Sequence, residues 1–521
     1  MRAISLVDRL EFDFTGNVLR KGITLGDVDN DGTNELIVGS ENGEVAIFKG
    51  KERWQTLSGL NFISCVAVGD ILNQNKNCLV VITGDGWCHI YSCVTQMVVF
   101  SDSSDVPTEE KTDESVEQVD GAVFSSESVE SEKSTSSDSG ANNSLEKEKV
   151  VLQRIHVQRI PANSKDILLG DIDGDGLIEM VLGLTDRVVR SYRWFSNPDT
   201  VRSADQTFDS TVSHDVFETF TGKLVGLNKW ECAKQIGSVT LHHSKDGSPS
   251  LLVAQPGGTF MRIVCQPEEV IAQSIEAAGQ GHYSDSGSSQ SESLVGSKID
   301  YQFLGISRMR NQNISTEIVG NLKTKTYDEQ QSLESDSSDV VSTNSSSSYG
   351  IKNLMKIPRV KEQGNPYAVA TLDGTIMLVQ NEIILWAMAV DHQIFTLTKL
   401  DVTGNGSDDI VACSWDGLTY ILDQNKNSVR FHLDESVQAF ECGYYNLSSD
   451  SPPVTCFVYV TFRNKIYLYY NIPLKVMTCK KFEPDISNIK EIIVDEYASE
   501  EKLDRRKKKE LVEYLLYGVE S

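Results

Sequence analysis

No stretch of this chain is apolar for long enough to cross a bilayer. The longest such run, Ile383 to Val390, has eight residues, against roughly 20 for a spanning helix. Met1 to Arg9 has neither an apolar core nor a cleavage pattern, so no secretory leader is expected and the chain is placed on the cytoplasmic side of membranes. No two of the ten cysteines stand in CxxC spacing. Several, including Cys65, Cys78, Cys413 and Cys456, sit in apolar runs, as buried reduced thiols do, and neither a disulfide framework nor a zinc site is expected. Positive charge is also scarce: 48 Lys and Arg face 75 Asp and Glu, a formal net charge of -27. A field of that sign repels nucleic acid and anionic lipid, and otherwise serves solubility. Phosphate-loop, GxSxG and HExxH signatures are missing, so no enzyme is expected. The eight histidines are dispersed except for His242-His243, which lie in a strand-like run where alternation turns one inward and one outward.

What the chain does have is a repeat: an apolar pair, Gly-Asp, a polar loop, an apolar run, a tight turn and a second apolar run. The first copy is Leu25-Gly26-Asp27 through Gly39, with a turn at Asn42-Gly43 and then Val45 to Phe48. Further copies begin at Val68-Gly69-Asp70, Leu169-Gly170-Asp171 and Leu400-Asp401, with turns at Asp85-Gly86, Asp186-Arg187 and Asp416-Gly417. Weaker copies occupy 236–264, 314–322 resuming at Tyr367, and 437–470. Short runs rich in Val, Ile and Tyr, joined by turns that accept positive φ, are strand hairpins buried on both faces. Repeats of this length containing several strands stack radially. The expectation is all-β: a seven-bladed β-propeller over 1–470, closed by a strand from residues 3–14. Four stretches break the rhythm, at 101–149, 196–219, 273–298 and 327–350. Their acidic, Ser-rich composition cannot bury enough apolar surface to fold, so disordered insertions are expected. Ser-Asp-Ser-Ser-Asp occurs at 101–105 and 335–339, a context for acidophilic phosphorylation. A C-terminal tail, 471–521, is expected to carry a short helix over about 499–519, with an apolar stripe interrupted by the basic run Arg505 to Lys509.

Two loops are denser in carboxylates than a turn requires. Asp27, Asp29, Asp31 and Glu35 stand at positions 1, 3, 5 and 9, with Gly32 at position 6, and Asp171, Asp173, Asp175 and Glu179 repeat the spacing around Gly176. Alternate carboxylates on a tight loop converge, and hard oxygens so arranged suit calcium. They are not EF-hands, because Val38 and Leu182 stand where a bidentate Glu would be needed. The other role open to them is to cap backbone N–H groups of the turn without metal. The copy after Asp401 keeps only part of the set, with Thr403 and Asn405 replacing the second and third acids.

The order of apolar pair, Asp-x-Asp-x-Asp-Gly-x-x-Glu loop and hairpin resembles the FG-GAP repeat of the integrin α-subunit propeller. Gly26 to Gly39, Ile160 to Asn163, Asp186 to Arg190 and Val390 to Asp423 narrow the resemblance to the family of integrin-alpha FG-GAP repeat-containing protein two. That resemblance implies a non-catalytic scaffold subunit of the KICSTOR complex, peripheral at the lysosomal membrane. There it would help place the GATOR complex and restrain TORC1 signalling under amino acid or glucose scarcity. Implied partners are a kaptin-like propeller subunit, the large KICSTOR scaffold subunit and GATOR. A calcium-binding adhesion propeller of the integrin kind is the alternative, against which stand the absent leader, the absent span and the unpaired cysteines.

Overall fold

The computed structural model describes residues 1–99, 146–196, 222–265, 297–303, 313–325, 364–472 and 474–478. Strands β1 (Arg2–Ala3) and β2 (Arg9–Asp13) precede the first complete sheet. That sheet orders β3 (Ile23–Gly26), β4 (Glu35–Gly39), β5 (Val45–Lys49) and β6 (Glu52–Leu57). Blade 2 holds β7 (Ile63–Gly69), β8 (Cys78–Thr83), β9 (Trp87–Val99) and β10 (Glu146–Arg159); blade 3 holds β11 (Ser164–Gly170), β12 (Glu179–Leu184), β13 (Val188–Ser196) and β14 (Gly222–Glu231). Blade 4 is β15 (Val239–His243), β16 (Pro249–Gln255), β17 (Thr259–Cys265) and β18 (Ser297–Phe303); blade 5 is β19 (Thr316–Val319), β20 (Tyr367–Thr371), β21 (Thr375–Gln380) and β22 (Ile383–Ala389). Blade 6 comprises β23 (Ile394–Leu400), β24 (Asp409–Ser414), β25 (Leu418–Leu422) and β26 (Ser428–His432), and blade 7 comprises β27 (Val437–Tyr445), β28 (Val454–Thr461) and β29 (Lys465–Tyr470).

The first strands of successive sheets touch in a closed circuit, β3 to β7, β11, β15, β19, β23, β27 and back to β3. The chain is a seven-bladed propeller with these strands around its axis. Second and third strands are sandwiched between neighbouring blades, so their side chains are buried on both faces: every residue of β4, β8, β12, β24 and β25 is buried. That is why they read as continuous apolar runs. Outer strands have one face in solvent, and β22 alternates exposed and half-buried along its length.

Closure is made by the N-terminus. β2 is the outermost strand of blade 7, antiparallel to β29 with Phe12 opposite Ile466. β1 adds to the preceding sheet, parallel to β26. Phe12 and Phe14 are buried, and the Phe12 ring lies 4.5 Å from that of Phe48 in blade 1. The first 14 residues therefore join blades 6, 7 and 1.

The turns follow from residue type. Gly43, Gly86, Gly374 and Gly417 all have φ between 81° and 92°, which glycine adopts without steric cost. At Gly43 the need is double, since a Cβ there would lie 1.8 Å from the Leu60 carbonyl oxygen.

Two strands begin earlier than composition indicates. β10 starts at Glu146 and β18 at Ser297, inside the stretches expected to be insertions. Both are outermost strands, held by backbone pairing along one edge, so charged and polar residues suffice there. The rest of 101–149 and 273–298, nearly all of 196–219, all of 327–350 and the expected helix at 499–519 lie outside the described residues. In an antiparallel sheet the first-to-second and third-to-fourth connections leave from the same end. Residues 100–145, 197–221 and 266–296 are third-to-fourth connections, and 326–363 is a first-to-second connection. All four therefore leave from one rim of the ring, and they hold 28 Asp and Glu against 7 Lys and Arg. Most of the chain's net negative charge issues from that rim.

The nine described cysteines are free, and all but Cys93 are buried. Burial pushes the thiols of Cys65, Cys88 and Cys413 up to about 12. Among the described residues no helix is long and apolar enough to cross a membrane.

Candidate functional site

The carboxylate loops connect first to second strands, on the rim from which the acidic segments depart. In each, the first Asp serves the turn. Asp27 accepts from the Asp31 and Gly32 amides at 3.1 and 3.0 Å, and Asp171 from those of Gly174 and Gly176 at 2.6 and 2.9 Å. Asp70 does the same for Gln74 and Asn75, and Asp401 for Asn405 and Gly406, although both loops lack acids at the third and fifth positions. This capping satisfies amides in a bend too tight to pair them otherwise, and it is common to all four loops.

Three of the four also share a ninth-position acid, which in the Asp70 loop is replaced by Cys78. Glu35, Glu179 and Asp409 are buried and accept from the amides of Val28, Ile172 and Val402 at 3.0, 3.0 and 3.1 Å. Burial pushes each of these carboxyls up to about 7.

The structure brings the acids of each loop together. Asp27, Asp29 and Asp31 each offer an oxygen within 4.8 Å of the others, as do Asp171, Asp173 and Glu179. Glu35 and Asp175 stand outside these two closest sets, though each belongs to its loop's ion-pair network. In blade 1, Leu36 pairs with Phe48, which sets Glu35 opposite Lys49. The Lys49 ammonium donates to Asp29 at 2.5 Å and to Asp31, and lies 3.5 Å from Glu35. In blade 3, Glu179 pairs with Arg193. The Arg193 guanidinium reaches Glu179 through Nε at 2.6 Å, Asp173 at 3.1 Å and Asp175 at 2.8 Å. Only 6% of the Arg193 side chain is exposed, and none of Glu179.

Lys49 and Arg193 complete the two charge clusters, and reading the loops in isolation misses them. The available signal is spacing: each cation follows the ninth-position Glu by 14 residues. Calcium needs six to eight oxygens at 2.3–2.6 Å. Here an ammonium or guanidinium already holds the oxygens that would surround the ion. As arranged, the residues do not fit a resident calcium.

At the opposite end of the axis, a second charge network spans the ring. Arg20, just before β3, passes across the axis to blades 4, 5 and 6. It donates to the carbonyls of Gly237 and Phe395 at 3.1 and 3.3 Å and pairs with Glu317. Lys21 pairs with fully buried Asp166 at 3.2 Å, and Asp166 accepts from the Val239 amide at 2.6 Å. Glu441 of β27 is held above the usual carboxylate range by burial, with Lys21 opposing. Lys21 is itself raised, first by Asp166. Half-buried cations held among carboxylates and carbonyls of several blades link these blades to one another.

His242 is buried at 4% exposure, its ring edge-on to Tyr367, and His243 is half-buried against Asn321. Alternation thus divides the pair into a core and a more exposed histidine.

A family model described as integrin-alpha FG-GAP repeat-containing protein 2 matches residues 49–337 and 339–474. The chain is 32% identical over 487 residues to the mouse protein named KICSTOR complex protein ITFG2, covering 92% of this chain and 87% of that one. It is 32% identical over 485 residues to the protein of the same name from Bos taurus, covering 92% of this chain and 73% of that one. Among solved structures, the crystal structure of BBS1N in complex with ARL6DN, soaked with lead, is similar at a TM-score of 0.46 and 11% identity, covering 91% of this chain and 99% of that one.

Proposed function

The chain belongs to the integrin-alpha FG-GAP repeat-containing protein 2 family, and from that membership we propose that it is a non-catalytic subunit of a KICSTOR complex. In this role the propeller, over 1–470, is the scaffold, and 471–521 is an appended tail. The subunit works in the cytoplasm, peripherally at the lysosomal membrane. There it helps place a GATOR complex and so restrains TORC1 signalling when amino acids or glucose are scarce. Its partners are a kaptin-like propeller subunit, the large KICSTOR scaffold subunit and, through them, GATOR.

The observation that carries this reading is similarity to a named KICSTOR protein along 92% of the chain. The charge distribution is consistent with it. One end of the axis is crossed by Arg20, Lys21 and their carboxylate partners. What the ring offers is outer surface, suited to other proteins.

Affinity purification of the tagged full chain from fed and starved cells, read by mass spectrometry, tests the proposal. Recovery of the kaptin-like, large-scaffold and GATOR subunits is expected. Their absence in both states would overturn the pathway assignment and leave the fold untouched.

A further inference from the structure

We propose that Lys49 and Arg193 are tethered cations that replace a divalent metal in the two acidic loops, so that this propeller is held together without calcium. Each cation is contributed by the third strand of the same blade, directly across the ladder from the buried ninth-position Glu. Each contacts three carboxylates of its loop: Asp29, Asp31 and Glu35 for Lys49, and Asp173, Asp175 and Glu179 for Arg193. A divalent ion placed among those oxygens would meet a fixed positive charge at contact range. In a partly buried site that repulsion is screened far less than in water. Metal and side chain therefore exclude one another.

The other loops of the chain supply the control. In blade 2, Leu79 pairs with Tyr91, setting Cys78 opposite Ser92, and the loop has no further acids to neutralise. In blade 6, Ile410 pairs with Leu422, setting Asp409 opposite Asp423, and Thr403 and Asn405 replace two carboxylates. Among these four loops the third-strand cation is present in the two that carry Asp at the third and fifth positions and missing from the two that do not; in blade 6 Lys399 of the first strand reaches Asp408 at 3.2 Å instead. The first-position Asp caps its turn in all four, so the turn itself does not depend on a metal. Charge neutralisation in blades 1 and 3 is thus built into the chain, and the loops stay closed at whatever free calcium concentration surrounds them.

Removing the cation leaves several carboxylates facing one another, which is a site for a hard divalent ion. The experiment compares the full-length protein with Lys49→Ala, Lys49→Met and Lys49→Arg in EGTA and in millimolar calcium, by thermal unfolding. It adds a terbium titration, because the Trp54 ring lies 5.8 Å from the Lys49 ammonium and would sensitise a lanthanide bound there. The native protein and Lys49→Arg are expected to unfold at the same temperature in both buffers and to show no sensitised terbium emission. Lys49→Ala and Lys49→Met are expected to unfold several degrees lower in EGTA, to regain that loss with calcium and to sensitise terbium. A variant recoverable only in calcium supports the proposal equally. Calcium stabilisation or terbium emission in the native protein would overturn it, a result that needs no variant to fold. So would folded Lys49→Ala and Lys49→Met that ignore both ions.

Discussion

Arg193 stands directly across the β-ladder from Glu179, with its Nε 2.6 Å from the Glu179 carboxylate. The same place in blade 1 is taken by Lys49 opposite Glu35. A loop motif known for metal coordination is here closed by an amino-acid side chain, and several consequences of this arrangement and of the ring around it can be measured.

The N-terminal strands should be indispensable to the ring. Without residues 1–14, blade 7 loses β2, blade 6 loses β1, and the buried rings of Phe12 and Phe14 are gone. Each buried ring contributes roughly 2–3 kcal/mol, and β29 is left as an open edge. The truncated chain is expected to melt at least 10 °C lower or to aggregate on purification. Differential scanning fluorimetry with light scattering checks this, and an unchanged melting curve would refute it.

Arg20 should be the most costly charge to remove. Arg20→Ala leaves Glu317 buried without its ion pair and frees the carbonyls of Gly237 and Phe395. Breaking one side of a buried pair costs about 3–5 kcal/mol. Urea unfolding should show that loss, while Arg53→Ala, on the exposed outer strand β6, should cost under about 1 kcal/mol.

Two buried groups should tilt the pH dependence of stability in opposite directions across one window, about pH 4 to 7. Asp409 has its carboxyl raised by burial from 3.8 to about 7. The folded protein therefore binds its proton more tightly than the unfolded chain, and this contribution is lost as pH rises through 7. His242 is lowered from 6.5 to about 4 by burial, so its contribution is present above 6.5 and lost as pH falls toward 4. Between about pH 5 and pH 8 the Asp409 effect is on the order of 2 kcal/mol. Relative to the native protein, Asp409→Asn should gain melting temperature as pH rises from about 4 to 7, and His242→Gln should lose it over the same range.

The repeat grammar made most of the fold legible. Buried second and third strands must be apolar on both faces, so β4, β8, β12 and β24 stand out as runs, and the positive-φ turns punctuate them. The early starts of β10 and β18 were hidden, because an outermost strand needs backbone pairing and imposes no apolar pattern. In the site, the carboxylates were visible by their local spacing. Lys49 and Arg193 were not, because their partners lie across a ladder rather than within the loop. Arg20 could not be seen at all: its contact with Glu317 joins blades 1 and 5, far apart in sequence, and exists only once the ring closes.

Reconstitution is the most direct test of the subunit role. The full chain, co-expressed with the kaptin-like and large scaffold subunits of its own organism, should elute from gel filtration as one stoichiometric complex that survives EGTA. Separate elution of a properly folded propeller would contradict it.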